Sequence, residues 1–324
     1  MKRLALVAAL TLTLASSAQA AVPGHVYAPY FETWTPDSLQ TTAQQSGARF
    51  FTLAFLETLS KSSCTLAWNG SKPDPVTNNR YGGDIAWLQA AGGDVIPSFG
   101  GWSADQGGTE IADSCKNVDT IAAAYEDVIT RYNVTRLDMD VEGRSLTRSD
   151  GIDRRNRALR LVEDWAAAHG RAFQVSYTLP TSAAGLEPSG VAVLENAVAN
   201  HTHVDVVNIM AFDYYDKHTT DMGTAAINAA NGTVAQLTAI GLEARIGITL
   251  MPGLDDYPKK TEETTVAHAQ QVLDYAQKNG VDTLSIWAIQ RDNGGCPGMT
   301  GSNRCSGIVQ NTWDFTHVLQ PFTH

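Results

Sequence analysis

The feature that most restricts the fold of this chain is a regular alternation of short, β-rich apolar runs with helical patterns. Eight such units follow one another from residue 21 onward. Strands that alternate with helices form a parallel sheet with right-handed crossovers, and eight units suffice to close that sheet. The sequence therefore predicts an α/β fold, a single-domain (β/α)8 TIM barrel over residues 21–324. Its predicted strands are 25–31, 49–56, 94–98, 136–142, 172–179, 204–212, 244–250 and 284–289.

Three acids alternate along the fourth predicted strand, which reads RLDMDVE at 136–142. Because successive strand side chains point to opposite faces, Asp138, Asp140 and Glu142 share one face at a spacing of about 6.7 Å. Three ionised carboxylates would repel in a half-buried site, so at least one proton should be shared. A carboxyl that stays protonated can serve as a general acid, and a neighbouring carboxylate can stabilise a developing cation. A solvated strand face or a cation site is the alternative.

Three segments resemble the motifs of one enzyme family. The acidic strand is similar to the DxxDxDxE signature of the family 18 glycoside hydrolases, the chitinases and their relatives, with Thr135 in place of the first Asp. The run SFGG at 98–101 resembles the family's SxGG segment, whose glycines let the backbone pass close to the acidic strand. The run MAFDY at 210–214 resembles its MxYD segment, except that Phe212 lacks a hydroxyl.

The resemblance implies a substrate-assisted, retaining mechanism that needs no metal or organic cofactor. Glu142 protonates the glycosidic oxygen, and the substrate's own acetamido oxygen attacks the anomeric carbon. Asp140 orients the acetamido group and stabilises the oxazolinium ion, while Asp138 shares a proton with Asp140. Asp213 bonds the acetamido nitrogen, and Tyr214 is expected to supply the hydroxyl that Phe212 lacks, with Tyr215 as the alternative.

Residues at the strand ends are the candidate sugar contacts. Trp287 stands where the family places the tryptophan beneath the sugar at the cleavage point, and an indole face suits the apolar C–H side of a pyranose. Core packing is the alternative for each aromatic residue. The full expected set is Tyr30, Phe55, Ser98, Trp102, Tyr177, Met210 and Trp287.

The link between the seventh and eighth strands is short. Many relatives carry an α+β insertion there, but only about 33 residues separate 250 from 284, and most of them form a predicted helix, 262–279. We therefore expect no insertion, a shallow open groove, and cuts within the polymer rather than at its ends.

The first twenty residues have the pattern of a secretory signal. Lys2 and Arg3 precede an apolar run, and the small-residue site at 18–20 precedes Ala21. A domain boundary is thus expected between 1–20 and 21–324, and the mature protein is expected to be secreted and extracellular. No second long apolar run follows, so nothing is predicted to span a membrane.

Charge and cysteine content restrict the partners. The net charge of −11 argues against nucleic acid or an anionic membrane surface, but not against a neutral polymer. The resemblance implies chitin or chito-oligosaccharides as that partner, and we expect a monomer. Four cysteines in an exported chain favour two disulfides over a zinc site, because CxxC and HxxxH spacings are missing. The favoured pairs are Cys64–Cys115 and Cys296–Cys305, the second within a Gly/Pro/Asn-rich loop.

The family resemblance, taken with these observations, implies a secreted endo-chitinase that hydrolyses β-1,4 linkages between N-acetylglucosamine units. Two alternatives remain: a hydrolase of another N-acetylglucosamine glycan, such as an N-glycan core or peptidoglycan, and a chitin-binding lectin of the same fold. Such lectins characteristically lack the acid that Glu142 supplies here.

Overall fold

Eight parallel strands close into a barrel at the centre of the structure. The computed structural model describes residues 21–257 and 261–323, so the predicted signal segment 1–20 lies outside the described residues. The strands are β1, in two segments Val26–Tyr27 and Tyr30–Glu32; β2, Phe50–Thr58; β3, Asp94–Gly100; β4, Arg136–Asp140; β5, Gln174–Ser182; β6, Val206–Met210; β7, Arg245–Leu250; and β8, Thr283–Ile286. Each strand pairs in parallel with its sequence neighbour.

The two segments of β1 close the ring. The first pairs with β8 and the second with β2. Pro29 lies between them, where its missing N–H leaves no unpaired donor and its carbonyl accepts the N–H of Thr52 at 2.9 Å. The predicted (β/α)8 barrel is therefore confirmed.

Helices cover the outside of the barrel between the strands. In the helix Val118–Tyr132, for example, Asn117 caps the first turn by accepting the N–H of Thr120, and Asn133 ends the last turn in the left-handed conformation. The main helices are α1, Leu39–Ser46; α2, Gly82–Ala90; α3, Val118–Tyr132; α4, Ser149–Ala168; α5, Pro188–Ala199; α6, Met222–Ile240; α7, Val266–Ala276; and α8, Asp314–Leu319.

The β7–β8 connection is compact, as predicted, but its helix is shorter than the pattern indicated. The helix α7 begins only at Val266, because Thr265 and His268 form a reciprocal cap there. Before it, Gly253–Leu254 pairs with Glu263–Thr264 as a small antiparallel ribbon. No α+β unit is inserted in the described residues of this connection, 251–257 and 261–282.

Hydroxyl and amide side chains fill much of the barrel interior, where branched apolar residues usually dominate. The amide of Asn208 on β6 donates to the hydroxyls of Thr178 on β5 and Thr249 on β7, at 2.9 and 2.8 Å. Below them, the guanidinium of Arg136 pairs with Asp282 at 2.8 Å, and both side chains are buried. This polar interior provides the hydrogen-bond donors on which the candidate site is built.

Both favoured cysteine pairs are confirmed as disulfides. Cys64 in the β2–α2 loop is bonded to Cys115 ahead of α3, and Cys296 is bonded to Cys305 in the loop after β8. The cysteines are therefore not available as thiolate ligands for zinc. Among the described residues, no helix combines the length and apolar character needed to cross a bilayer.

Candidate active site

Four hydroxyl groups surround Asp138 inside the barrel. Strand alternation turns its carboxyl inward together with that of Asp140, while Leu137 and Met139 pack outward into the core. The four donors come from β1, β3 and β5: Tyr30 at 3.1 Å and Ser98 at 2.6 Å on one oxygen, Ser176 at 2.7 Å and Thr178 at 2.8 Å on the other. Burial raises the Asp138 pKa, whereas these hydrogen bonds lower it.

Asp140 lies one step nearer the mouth of the barrel and lacks such donors. It is almost wholly buried, and its Oδ1 atom has no hydrogen-bond partner among the described residues. Burial, followed by the charges of Glu142, Asp138 and Asp105, raises the Asp140 pKa well above its usual range. Of the two neighbouring aspartates, Asp140 is therefore the better proton holder.

Glu142 stands just beyond the end of β4, where the chain leaves the strand in an extended conformation. Burial raises its pKa to about 7 against the opposing hydrogen bond from the Trp102 amide, and the charge of Asp256 raises it further. A carboxyl with this pKa is partly protonated at neutral pH, which general acid catalysis requires.

Two glycines let β3 and the following turn approach the acidic strand. A Cβ on Gly100 would lie 2.2 Å from the carbonyl oxygen of Asp140, and one on Gly101 would lie 2.5 Å from the ring of Phe55. Both glycines have positive φ angles, 101° and 82°, which side chains disfavour. The approach allows the N–H of Gly101 to donate to the Asp140 carbonyl at 3.1 Å.

Aromatic rings form a floor beside the acids. Trp287, just after β8, stacks on Phe55 of β2 at 5.5 Å between ring centroids and meets the edge of Tyr30 at 5.5 Å. Trp34, after β1, packs against both Phe55 at 6.2 Å and Trp287 at 6.1 Å between ring centroids, and it is 38% exposed. The floor therefore runs from the acids toward solvent.

A further carboxyl group, that of Asp213, lies in the loop after β6 at the same end of the barrel as Glu142. Its N–H donates to Asp255, and its own carboxyl accepts the N–H of Asp256, both at 3.0 Å. Burial and the charges of Asp256 and Asp255 raise the Asp213 pKa to about 8. Met210, at the end of β6, is buried on the same inward face as Asn208.

Comparison with known proteins decides the family. The model of the glycosyl hydrolases family 18 matches residues 26–250, more than half of the chain. The chain belongs to glycosyl hydrolase family 18. The match covers the strands that carry Asp138, Asp140, Glu142 and Asp213.

Two curated relatives of this family 18 chain are longer proteins. One, "Probable bifunctional chitinase/lysozyme" of Escherichia coli (strain K12), is 31% identical over 322 residues, which cover 93% of this chain and 35% of that protein. The other, "Endochitinase 11" of Metarhizium anisopliae, is 32% identical over 288 residues, which cover 83% and 53%. The chain thus spans about a third and about half of the lengths of these relatives.

Among solved structures, catalytic-site mutants of active domain 2 of a thermostable chitinase from Pyrococcus furiosus, complexed with chito-oligosaccharides, are similar to this family 18 barrel. The TM-score is 0.80 at 29% sequence identity, covering 94% of this chain and 96% of that chain. The likeness extends over the whole barrel.

The structure corrects the expected sugar contacts at three positions. Tyr177 faces outward from β5, is fully buried, and donates its hydroxyl to Asn156 of α4, so its expected place in the groove is wrong. Ser98 is likewise fully buried, and Tyr30 almost so, with both hydroxyls on Asp138. Both hydroxyls therefore bind Asp138 inside the barrel and do not line the groove. Trp102, by contrast, is 61% exposed beside Glu142.

Tyr214 lies close to the β7–β8 connection. Its N–H donates to Glu262 at 2.7 Å, and its hydroxyl has no hydrogen-bond partner among the described residues. Burial and the charges of Glu262, Asp216 and Asp255 raise the Tyr214 pKa. The charges that act on this hydroxyl therefore belong to carboxylates of the loops after β6 and β7.

Two residues at the site were missed by the sequence reasoning. Asp105 accepts the backbone N–H of Glu142 at 2.5 Å, and Trp34 extends the aromatic floor. Asp105 lies in the first turn of the short helix Trp102–Gly107. An aspartate there normally indicates only favourable placement near the helix dipole, so the sequence pattern does not distinguish Asp105 as a site residue. Trp34, between a strand and a turn, could have been found as an aromatic residue at a strand end.

Proposed function

We propose that this chain is a chitinase that hydrolyses β-1,4 linkages between N-acetylglucosamine units. The observation that carries the proposal is the state of Glu142, whose pKa of about 7 leaves a proton available beside Asp140. Chitinases are also the named relatives and structural neighbours of this chain. We also propose that it retains the anomeric configuration, cuts within the polymer and is exported.

In the first step, the carboxyl of Glu142 donates its proton to the glycosidic oxygen as the bond to the anomeric carbon breaks. The acetamido oxygen of the same sugar attacks that carbon and forms an oxazolinium ion. The inward carboxyl of Asp140 lies beside Glu142 and orients the acetamido group. In the second step, the carboxylate of Glu142 takes a proton from water. The water oxygen attacks the anomeric carbon and breaks its bond to the acetamido oxygen, which opens the oxazolinium ring with net retention of the anomeric configuration.

Asp138 serves as a fixed charge under this pair. Its four hydroxyl donors satisfy an ionised carboxylate, and its charge helps to raise the Asp140 pKa. The proton expected to be shared between the two therefore resides mainly on Asp140. Trp287 provides the flat apolar surface for the sugar ring at the cleavage point.

The mode of cutting follows from the short β7–β8 connection. Its described residues, 251–257 and 261–282, form only a small ribbon and the helix α7, which supports an open groove where a polymer enters along its length and is cut internally. Loss of viscosity of a soluble chitin derivative, measured against release of reducing ends, tests this mode. Viscosity should fall early; dimers released from the first turnovers would contradict it.

A second candidate substrate is peptidoglycan, because one relative is named as a probable chitinase and lysozyme. Both polymers present N-acetylated glucosamine to the same acids. Release of soluble sugar from colloidal chitin, bacterial cell walls and a glycoprotein, compared at equal enzyme concentration, separates the candidates. Faster release from cell walls than from chitin would reverse the order of the two proposals.

Export and a monomeric state complete the proposal. Two disulfides within the described residues are consistent with an oxidising compartment. Mass spectrometry of the protein from the culture medium should find an N-terminus at Ala21, and light scattering should give the mass of one chain. Retention inside the cell would contradict export, and a dimer mass would contradict the monomeric state.

A further inference from the structure

One turn contacts the end of the acidic strand, and the residue Glu142 beyond it, at three points. In the turn from Gly101 to Asp105, the first N–H donates to the carbonyl of Asp140 at 3.1 Å. The amide of Trp102 donates to the carboxyl of Glu142, and the carboxyl of Asp105 accepts the backbone N–H of Glu142 at 2.5 Å. The turn is closed by the N–H of Asp105 on the carbonyl of Gly101 at 3.0 Å.

The contact with Asp105 is needed because Glu142 lies beyond the sheet. β4 ends at Asp140, and the last N–H that β5 accepts near this point is that of Val141, on the carbonyl of Thr178 at 3.0 Å. An N–H left unpaired inside a protein costs free energy comparable to a lost hydrogen bond. Asp105 therefore replaces the missing strand partner of Glu142.

We propose that Asp105 is a positioning residue for the general acid, holding the backbone of Glu142 so that its carboxyl is aimed into the groove. Asp105 is fully buried, and its Oδ1 atom has no hydrogen-bond partner among the described residues. A buried carboxylate with an unsatisfied oxygen is costly to maintain for space filling alone. This inference rests on the proposed function of Glu142 as the acid.

Charged groups face Asp105 from two sides. Asp140 and Glu142 lie on the side of β4, while Glu110 and Arg155, paired at 3.0 Å, lie on the side of α4. Burial, followed by the charge of Glu110, raises the Asp105 pKa well above its usual range, while Arg155 lowers it. The acceptor oxygen is retained in either protonation state, so the positioning contact does not depend on pH.

The test compares Asp105→Asn, which keeps an acceptor oxygen, with Asp105→Leu, which keeps the volume and removes the acceptor. On a chromogenic N-acetylglucosamine tetramer, Asp105→Asn should stay within about threefold of the wild-type kcat, and Asp105→Leu should lose about tenfold or more at unchanged KM. If the leucine variant does not fold, Asp105→Ala takes its place. Equal kcat values for the asparagine and apolar variants would overturn the inference.

Asp113→Asn is the matched control. Asp113 is another buried carboxylate of the same loop, and it accepts the hydroxyl of Ser145 at 2.6 Å and pairs with Arg148 at 3.2 Å. This variant should lower the melting temperature while keeping kcat. A kcat loss equal to that of Asp105→Leu would show that kcat reports only the stability of the loop, which contradicts positioning.

A readout without substrate separates this inference from the proposed function. The amide proton of Glu142 should resonate further downfield in wild-type protein and in Asp105→Asn than in Asp105→Leu or Asp105→Ala, because only the first two keep its hydrogen-bond acceptor. If the wild type cleaves no N-acetylglucosamine polymer, the proposed function fails while this signal still tests the contact. An amide proton that does not move would overturn the contact itself.

Discussion

Two groups of carboxyls lie at the mouth of this barrel, and they are built in different ways. At the end of β4, strand alternation aims Asp138, Asp140 and Glu142 inward in a fixed order. In the loops after β6 and β7, the carboxyls of Asp213 and Glu262 accept backbone N–H groups of irregular segments. The first group could be read from spacing in the sequence, whereas the second depends on how two loops meet.

The difference also concerns protons. In the β4 group, Asp138 has four hydroxyl donors and its neighbour Asp140 has an unpaired oxygen, so the proton has a defined place. In the loop group, the side chains of Asp255 and Glu262 hydrogen-bond directly to each other, and burial raises the Glu262 pKa to about 7. We infer that the β4 group transfers the protons, while Asp213 of the loop group stays a predicted contact of the acetamido nitrogen.

The largest expected effect is that of Glu142→Gln. The variant keeps the shape and loses the proton, so kcat should fall by about 10²–10⁴-fold, while oligosaccharide binding and the melting temperature stay nearly unchanged. Single-turnover kinetics and calorimetric titration measure the two parts. Comparable hydrolysis by the variant would remove the β4 group from the chemistry.

The pH dependence of kcat/KM should report the ionisation of Glu142. Glu142 must be protonated in the free enzyme, so activity is present below its pKa of about 7 and is lost as pH rises through it. kcat/KM should fall by about tenfold per pH unit on the alkaline side, or about 100-fold over two units. Initial rates from pH 5 to 9 measure the limb, and a flat profile would contradict the assignment.

Tyr214→Phe should have a smaller effect. A neutral hydrogen bond contributes about 0.5–1.5 kcal/mol, so removing this hydroxyl should lower kcat/KM by at most about tenfold even if it bonds the acetamido group. The melting temperature should not fall, because the hydroxyl has no partner among the described residues. A loss as large as that of Glu142→Gln would place the loop group in the chemistry.

Glu262→Gln should have the smallest effect, and on stability alone. The folded pKa of Glu262 lies above its ordinary value of 4.5. Its contribution to the free energy of unfolding is therefore complete below pH 4.5 and is lost as pH rises through about 7. The variant cannot ionise, so it should reduce the fall in melting temperature between pH 5 and 8 by about 2 °C. Scanning calorimetry at both pH values measures the melting temperatures, and an unchanged kcat is the control. If the fall in melting temperature were the same as in the wild type, the proton on Glu262 would contribute nothing to stability.

The sequence predicted the barrel because eight repeats of one pattern leave few other arrangements, and it predicted the inward face of β4 because the period of a strand is two. It failed at Tyr177, which lies one residue out of phase with Ser176 and Thr178, whose hydroxyls contact Asp138. A position near a strand end does not decide which face a side chain occupies, and the alternation places Tyr177 on the outer face. The phase could have been counted from the sequence.

Asp105 could not be found in the same way. Its contact with Glu142 joins residues 37 positions apart, through a turn whose path depends on Gly100 and Gly101. No period in the sequence relates the two residues. The ribbon Gly253–Leu254 with Glu263–Thr264 was missed for a related reason, since two-residue strands are too short to show an alternation.

The polar interior of the barrel has a consequence for how stability depends on temperature. Exposing apolar surface raises the heat capacity of the unfolded chain, and exposing polar surface lowers it. The hydroxyls and amides of Thr178, Asn208 and Thr249 therefore reduce the heat-capacity change of unfolding, compared with a barrel filled by valine and isoleucine. A smaller change gives a flatter curve of free energy against temperature, so the hydrogen bonds that hold Asp138 also widen the range of temperature over which this barrel stays folded.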